Sequence, residues 1–154
     1  MSNTRVVQRS EFECAYLMPV GRKYELNAHF YKIEATFEST STADDLIIDF
    51  RTCKRLMDNV LPNNCFIYNG LIKNSANTAG DVVESAGEVR VAALMEDLGV
   101  PVKRYEFKIS AETLSEHFAL RIQNELNKNN LSHIRVRELK LRETNNSFAT
   151  WSLV

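Results

Sequence analysis

The chain has 154 residues, with 19 Lys+Arg against 20 Asp+Glu, a net charge of -1 and a pI near 6.3. That length suits one domain around one core, and the charge balance excludes a polybasic nucleic-acid binder, whose affinity would come from neutralising phosphates. With 44% hydrophobic and 25% charged residues the composition is globular, neither disordered nor fibrous.

No apolar run approaches the ~20 residues of a membrane helix, and MSNTRVVQRSEFE lacks the apolar stretch of a signal peptide. Cys14, Cys53 and Cys65 form no CxxC pair and are expected to be reduced thiols of a cytoplasmic protein. A single domain over 1–154 is expected, because no Pro/Gly/Ser linker, repeat or low-complexity tract interrupts the chain.

Strands are marked by alternation. Phe12, Cys14 and Tyr16 alternate with Glu11 and Glu13, predicting a strand over about 5–17, and Met18-Pro19-Val20-Gly21 predicts a turn. Tyr24, Leu26, Ala28 and Phe30 then occupy even positions, whereas Tyr31, Ile33, Ala35 and Phe37 occupy odd ones. Such a change of parity predicts a β-bulge in a long second strand that forms a hairpin with the first. Asp49 is followed by Phe50, Cys53, Met57, Val60 and Leu61 at helical spacing, with Pro62 beyond. A short strand fits 65–69, and the polar NSANTAGD segment within 69–83 reads as a surface loop. Ser85 and Glu88 match a capping box ahead of Val91, Leu94, Met95 and Leu98, and Gly99 and Pro101 stop that helix. A strand over 102–108 follows, and Ser110 opens a third helix with the stripe Ala111, Leu114, Phe118, Ile122 and Leu126.

Two strands close the chain, 133–143 and 146–152, around a turn at Asn145-Asn146. The first repeats the parity change: Ile134 and Val136 are even, Leu139 and Leu141 odd. Glu143 continues the odd row, so a carboxylate ends an apolar stripe. Either the strand stops there and Glu143 reaches solvent, or the group has a partner that repays its desolvation.

The order hairpin, helix, strand, helix, strand, helix, hairpin carries further residues of note. Phe12-Glu13-Cys14-Ala15-Tyr16 and Leu26-Asn27-Ala28-His29-Phe30-Tyr31-Lys32-Ile33-Glu34 resemble F-x-A-x-H and L-H-G-H-N-Y-x-[VIL]-x-V, signatures of the 6-pyruvoyl-tetrahydropterin synthase family, which includes the 6-carboxytetrahydropterin synthases of 7-deazaguanine synthesis. Ile48-Asp49-Phe50 with Lys54, Ser110-Ala111-Glu112-Thr113-Leu114 and Leu141-Arg142-Glu143-Thr144 resemble that family's later motifs in the same order. The resemblance implies an α+β tunnelling (T-) fold: an antiparallel sheet with helices on one face, closing into an oligomeric barrel, usually a hexamer of two trimers. It implies a small heterocyclic ligand, a reduced pterin or purine-like ring, held by Glu143, with Ser110 and Glu112 as further binding residues. No nucleic-acid or membrane partner is implied.

The family's zinc takes three histidines, one ending the first strand and two from H-x-H on the second. Here Tyr16 and Asn27 stand at two of those positions and His29 alone remains. An amide is a poor zinc ligand, and a phenol would have to ionise far below ~10 to serve. The proton-relay Asp-His pair falls on Asn64-Cys65, the residues expected to stand in the catalytic positions. Zinc is expected only through a rebuilt site of Cys14, His29 and Cys65, an acceptable Cys2His set; the bland reading makes both cysteines packing residues. No phosphate-loop, dinucleotide, zincin or serine-hydrolase motif occurs. The basic residues Arg135, Arg137, Lys140 and Arg142 read as a stripe divided between faces by the bulge. Two readings follow: a divergent lyase or isomerase of a dihydroneopterin-type substrate, and a non-catalytic oligomeric heterocycle-binding or structural subunit.

Overall fold

A computed structural model describes residues 4–40, 47–71 and 79–154, the side chains of 79–86 excepted. Six strands form one mixed sheet in the order β4-β3-β1-β2-β5-β6. The strands are β1 (Arg5–Val20), β2 (Lys23–Ser39), β3 (Cys65–Asn69), β4 (Val102–Tyr105), β5 (Ile134–Thr144) and β6 (Ser147–Ser152). The helices are α1 (Phe50–Val60), α2 (Ala79–Asp97) and α3 (Ala111–Lys128). The chain groups into two compact units, Met1–Glu11 with Tyr31–Leu61 and Ala111–Val154, and Phe12–Phe30 with Pro62–Ser110. None of the helices among the described residues is long and apolar enough to cross a membrane.

In the first unit β2 runs antiparallel to β5, and β5 to β6. Thr36 faces Glu138 while Phe37 faces Val136, so Arg137 is the extra residue of a bulge on β5. It exchanges the faces as the parity change predicts: Ile134 and Val136 are buried before it, Leu139 and Leu141 after it. Gln123 of α3 bridges that irregularity, donating to the Ile134 carbonyl at 3.0 Å and accepting from the Val136 amide at 3.0 Å. Beneath lies the predicted stripe of α3, with Leu114, Phe118, Ile122 and Leu126 fully buried. Asp49 caps α1, accepting from the Arg51 amide at 3.4 Å, and Cys53, Leu56, Met57 and Val60 face inward.

β2 departs from expectation. Lys23 and Glu25 are exposed, but from Asn27 on its odd positions face inward, from half-buried Asn27 and His29 to buried Tyr31, Ile33, Ala35 and Phe37. Leu26 and Phe30 are 63% and 50% exposed, so no exchange of faces separates Phe30 from Tyr31. Leu26, Ala28 and Phe30 form an exposed row, which alternation alone does not distinguish from a core stripe, whereas half-buried Tyr24 sits against Gly87 of α2.

In the second unit β1–β3 and β3–β4 are parallel, so the sheet is mixed where the sequence suggested an antiparallel one. The helix between β3 and β4 makes them a crossover unit, and crossovers return parallel strands. α2 begins at Ala79, so Ser85 and Glu88 lie inside it rather than at its start. Glu88 is buried and accepts from the Asn69 amide at 2.9 Å, tying the end of β3 to the helix. The expected loop over 69–83 falls partly outside the described residues, and its last part is helical. At the other end Gly99 adopts φ 79, and the Val100 amide donates to the Met95 carbonyl at 2.9 Å, the left-handed C-terminal cap expected of Gly99.

Candidate functional site

The turn before β3 is fastened to β1 on both sides. The Asn64 amide donates to the Glu13 carbonyl at 2.7 Å, and the Glu13 amide donates to Asn63 Oδ1 at 3.0 Å. Asn64 takes φ 56, a left-handed conformation that asparagine tolerates better than most residues. This anchoring sets Cys65 in register with Cys14 as direct partners on neighbouring parallel strands.

The resulting cavity has a volume of about 430 Å³ and is lined by Glu13, Cys14, Ala15, Leu26, Ala28, His29, Phe30, Asn64, Cys65, Phe66, Met95 and Val100. Cys14 is buried and His29 half-buried, and the half-buried Cys65 thiol donates to the Asn63 carbonyl at 3.2 Å. Four sequence-predicted residues, Cys14, His29, Asn64 and Cys65, thus share one cavity. Met95 and Val100 complete its apolar wall. They stand at the end of α2, where the sequence showed only a helix stop.

These residues do not fit the zinc of the three-histidine motif. Tyr16 is buried in the core and Asn27 offers an amide. Among the described residues no group of three or more His, Cys, Asp and Glu side chains is gathered closely enough to hold a metal ion.

Glu112 and Glu143 belong to the first unit and Ser110 to the second, and none of the three is among the residues that line the cavity. Glu143 is the extra residue at the irregularity of the β5–β6 pairing, where Arg142 faces Phe148 and Thr144 faces Ser147. It is half-buried beyond the fully buried Leu139 and Leu141. Glu112 is exposed in the first turn of α3, where a carboxylate also favours the helix dipole; its carbonyl accepts from Ser115 Oγ at 2.8 Å.

The basic stripe divides. Arg137 pairs with Glu38 at 2.8 Å, while Lys140 and Arg142 line a groove of about 270 Å³ with Arg9, Ser10, Glu11, Lys32, Ile33, Glu34 and Asn145. Lys140 Nζ lies 4.1 Å from the Phe148 ring centre, and Arg9 pairs with Glu34 at 2.8 Å. Sequence reasoning missed Arg9 and Lys32 there; both stand at outward positions of alternating strands, which was the available signal.

Residues 5–152 match the model of the family described as 6-pyruvoyl tetrahydropterin synthase. The fold is similar to that of 6-pyruvoyl tetrahydropterin synthase of Plasmodium falciparum (TM-score 0.67, 18% identity, 98% of each chain covered). It is also similar to the synthase of Plasmodium vivax (TM-score 0.63, 17% identity, 98% of each chain). The Caenorhabditis elegans synthase aligns with a TM-score of 0.59 at 9% identity, over 100% of this chain and 98% of that one. No curated protein matches the sequence. At these identities the structural likeness speaks for the fold alone.

Proposed function

The chain belongs to the 6-pyruvoyl tetrahydropterin synthase family, and from that premise we propose that it is a divergent member that binds a reduced pterin or purine-like heterocycle through Glu143. The carrying observation is the place of that carboxylate, half-buried at the β5 irregularity and one step past the buried Leu139 and Leu141. The two oxygens of a carboxylate match a ring presenting two N–H donors side by side, in geometry and in charge. Ser110 and Glu112, at the start of α3, match the family motif assigned to the same ligand. The proposed state is a single-domain cytoplasmic homo-oligomer, a trimer or hexamer. The outward Leu26 and Phe30 support an assembly that covers apolar surface.

Lyase or isomerase chemistry on a dihydroneopterin-type substrate, of pterin or 7-deazaguanine synthesis, would fall to Cys65 and Asn64. Zinc would supply substrate polarisation in the family's usual site, but the donor set here does not fit it. Asn64 does not titrate, so it can orient a substrate but not shuttle its proton. Buried Tyr16 and the Asn27 amide favour the second reading, a ring-binding subunit without turnover.

Titration of dihydroneopterin against the native protein and Glu143→Gln tests the pocket. The variant places a donor against a donor, and the expected loss of about 1.5–3 kcal/mol is roughly 10–150-fold in affinity. Equal affinities would sink the assignment. Incubation with dihydroneopterin triphosphate then separates the readings: product formation selects the enzyme, binding without product the subunit. Metal counted per chain in the same preparation shows whether Cys14, His29 and Cys65 hold zinc in solution.

A further inference from the structure

Cys14 and Cys65 carry a second chemistry that the ring-binding reading does not use. They are direct partners on neighbouring parallel strands. Adjacent strands lie ~4.7–4.9 Å apart, inside the ~4.4–6.8 Å range of Cα separations that a disulfide spans. Paired residues of neighbouring strands project to the same side of a sheet, so the two thiols lie on one face and can be joined without a change of register.

Access differs between them, and in a useful sense. Both line the cavity, but Cys65 is half-buried, where a small solute reaches it, while Cys14 is buried. For its sulfur to turn, the Cys65 thiol gives up its hydrogen bond to the Asn63 carbonyl, 3.2 Å long. Cys53 supplies an internal contrast: it is fully buried in α1, and burial first and Asp49 second push its thiol up to about 11, which leaves it unreactive.

We infer that Cys14 and Cys65 form a reversible disulfide that makes the cavity wall a peroxide-sensitive element. The Cys65 sulfur attacks one oxygen of hydrogen peroxide, the O–O bond breaks, and Cys65 becomes a sulfenic acid as one water leaves. The Cys14 sulfur then attacks the sulfenic sulfur, the S–S bond forms, and the hydroxyl departs with the Cys14 proton as a second water. Two thiols lose two electrons to the peroxide, and a small dithiol restores both. The bridge covalently ties β1 to β3 at the wall of the cavity. This inference stands independently of the Glu143 reading.

The test treats the full-length protein with stoichiometric hydrogen peroxide, then denatures it and alkylates its free thiols. The expected result is one alkylated cysteine, Cys53, in place of three, a Cys14–Cys65 cross-linked peptide on digestion, and full alkylation after dithiothreitol. Cys14→Ser should instead accumulate a dimedone-reactive sulfenic acid on Cys65, a readout that packing changes do not mimic. Three alkylated cysteines after peroxide would overturn the inference. So would a disulfide between two chains, or oxidation of Cys65 to the sulfinic acid with Cys14 still free.

Discussion

In the second unit a cavity of about 430 Å³ is walled by Leu26, Phe30, Phe66, Met95 and Val100, with two thiols and one imidazole among them. In the first unit a groove of about 270 Å³ is walled by Arg9, Glu11, Lys32, Glu34, Lys140 and Arg142. Both draw on outward positions of β2, which is apolar at Leu26 and Phe30 and charged at Lys32 and Glu34. Strand geometry decides only which face a residue takes; its chemistry then decides what that face can bind. An apolar wall gains by releasing water, roughly 25 cal/mol per Å² covered, and is indifferent to salt. A charged groove is screened over about 8 Å at physiological ionic strength.

Substitutions can break this contrast, starting with the packing beneath each site. Phe118 of α3 is fully buried in the unit that carries the groove. Phe118→Ala should cost about 3–5 kcal/mol, read as a lowered urea midpoint at unchanged slope. A cost under about 1 kcal/mol would show that α3 is not anchored as described.

In the unit that carries the cavity, close approach matters more than bulk. A Cβ on Gly87 of α2 would stand 2.5 Å from the Tyr24 hydroxyl oxygen. Gly87→Ala should therefore destabilise by about 1–3 kcal/mol, even though alanine is the better helix former. Relief by Gly87→Ala with Tyr24→Ala would sharpen the point, because the second change removes the hydroxyl oxygen and the ring carbons 2.5–2.8 Å from the added Cβ.

Cys53 gives the contrast a pH signature. Its folded thiol is raised to about 11 from an ordinary 9.0, by burial above all and then by Asp49. Below pH 9 both states keep the proton and the stabilisation is intact. Between 9 and 11 the unfolded thiol ionises while the folded one does not, so stability falls by about 1.4 kcal/mol per pH unit from this group. Cys53→Ala should flatten that window in a comparison of denaturation at pH 8 and pH 10. Parallel curves for the two proteins would place the thiol in a less buried setting.

The smallest effect belongs to the groove. Arg9 is 82% exposed and Glu34 34% in their ion pair. Arg9→Ala should change stability by no more than about 0.5 kcal/mol, an effect that added salt removes. A larger, salt-independent loss would mean that the groove is structural rather than a solvated surface.

Much of this was legible along the chain because it depends on neighbours in sequence. The α3 stripe, the Asp49 cap, the Gly99 stop and the turn at Asn145-Asn146 each follow from local spacing, and so does the bulge on β5, where one extra residue shifts the parity of a buried row. Collinear motifs carried the family assignment. Local pattern misled where two faces of one strand are both apolar, as in β2, and where an apparent cap lies inside a longer helix, as at Ser85 and Glu88. Only the tertiary structure decided that β3 runs parallel to β1, that Glu88 serves the β3 end, and that Cys14 meets Cys65 across 51 positions of chain. Register between distant strands is set by hydrogen bonds at the turn that fastens Asn63 and Asn64 to Glu13, and no periodicity within either strand encodes it.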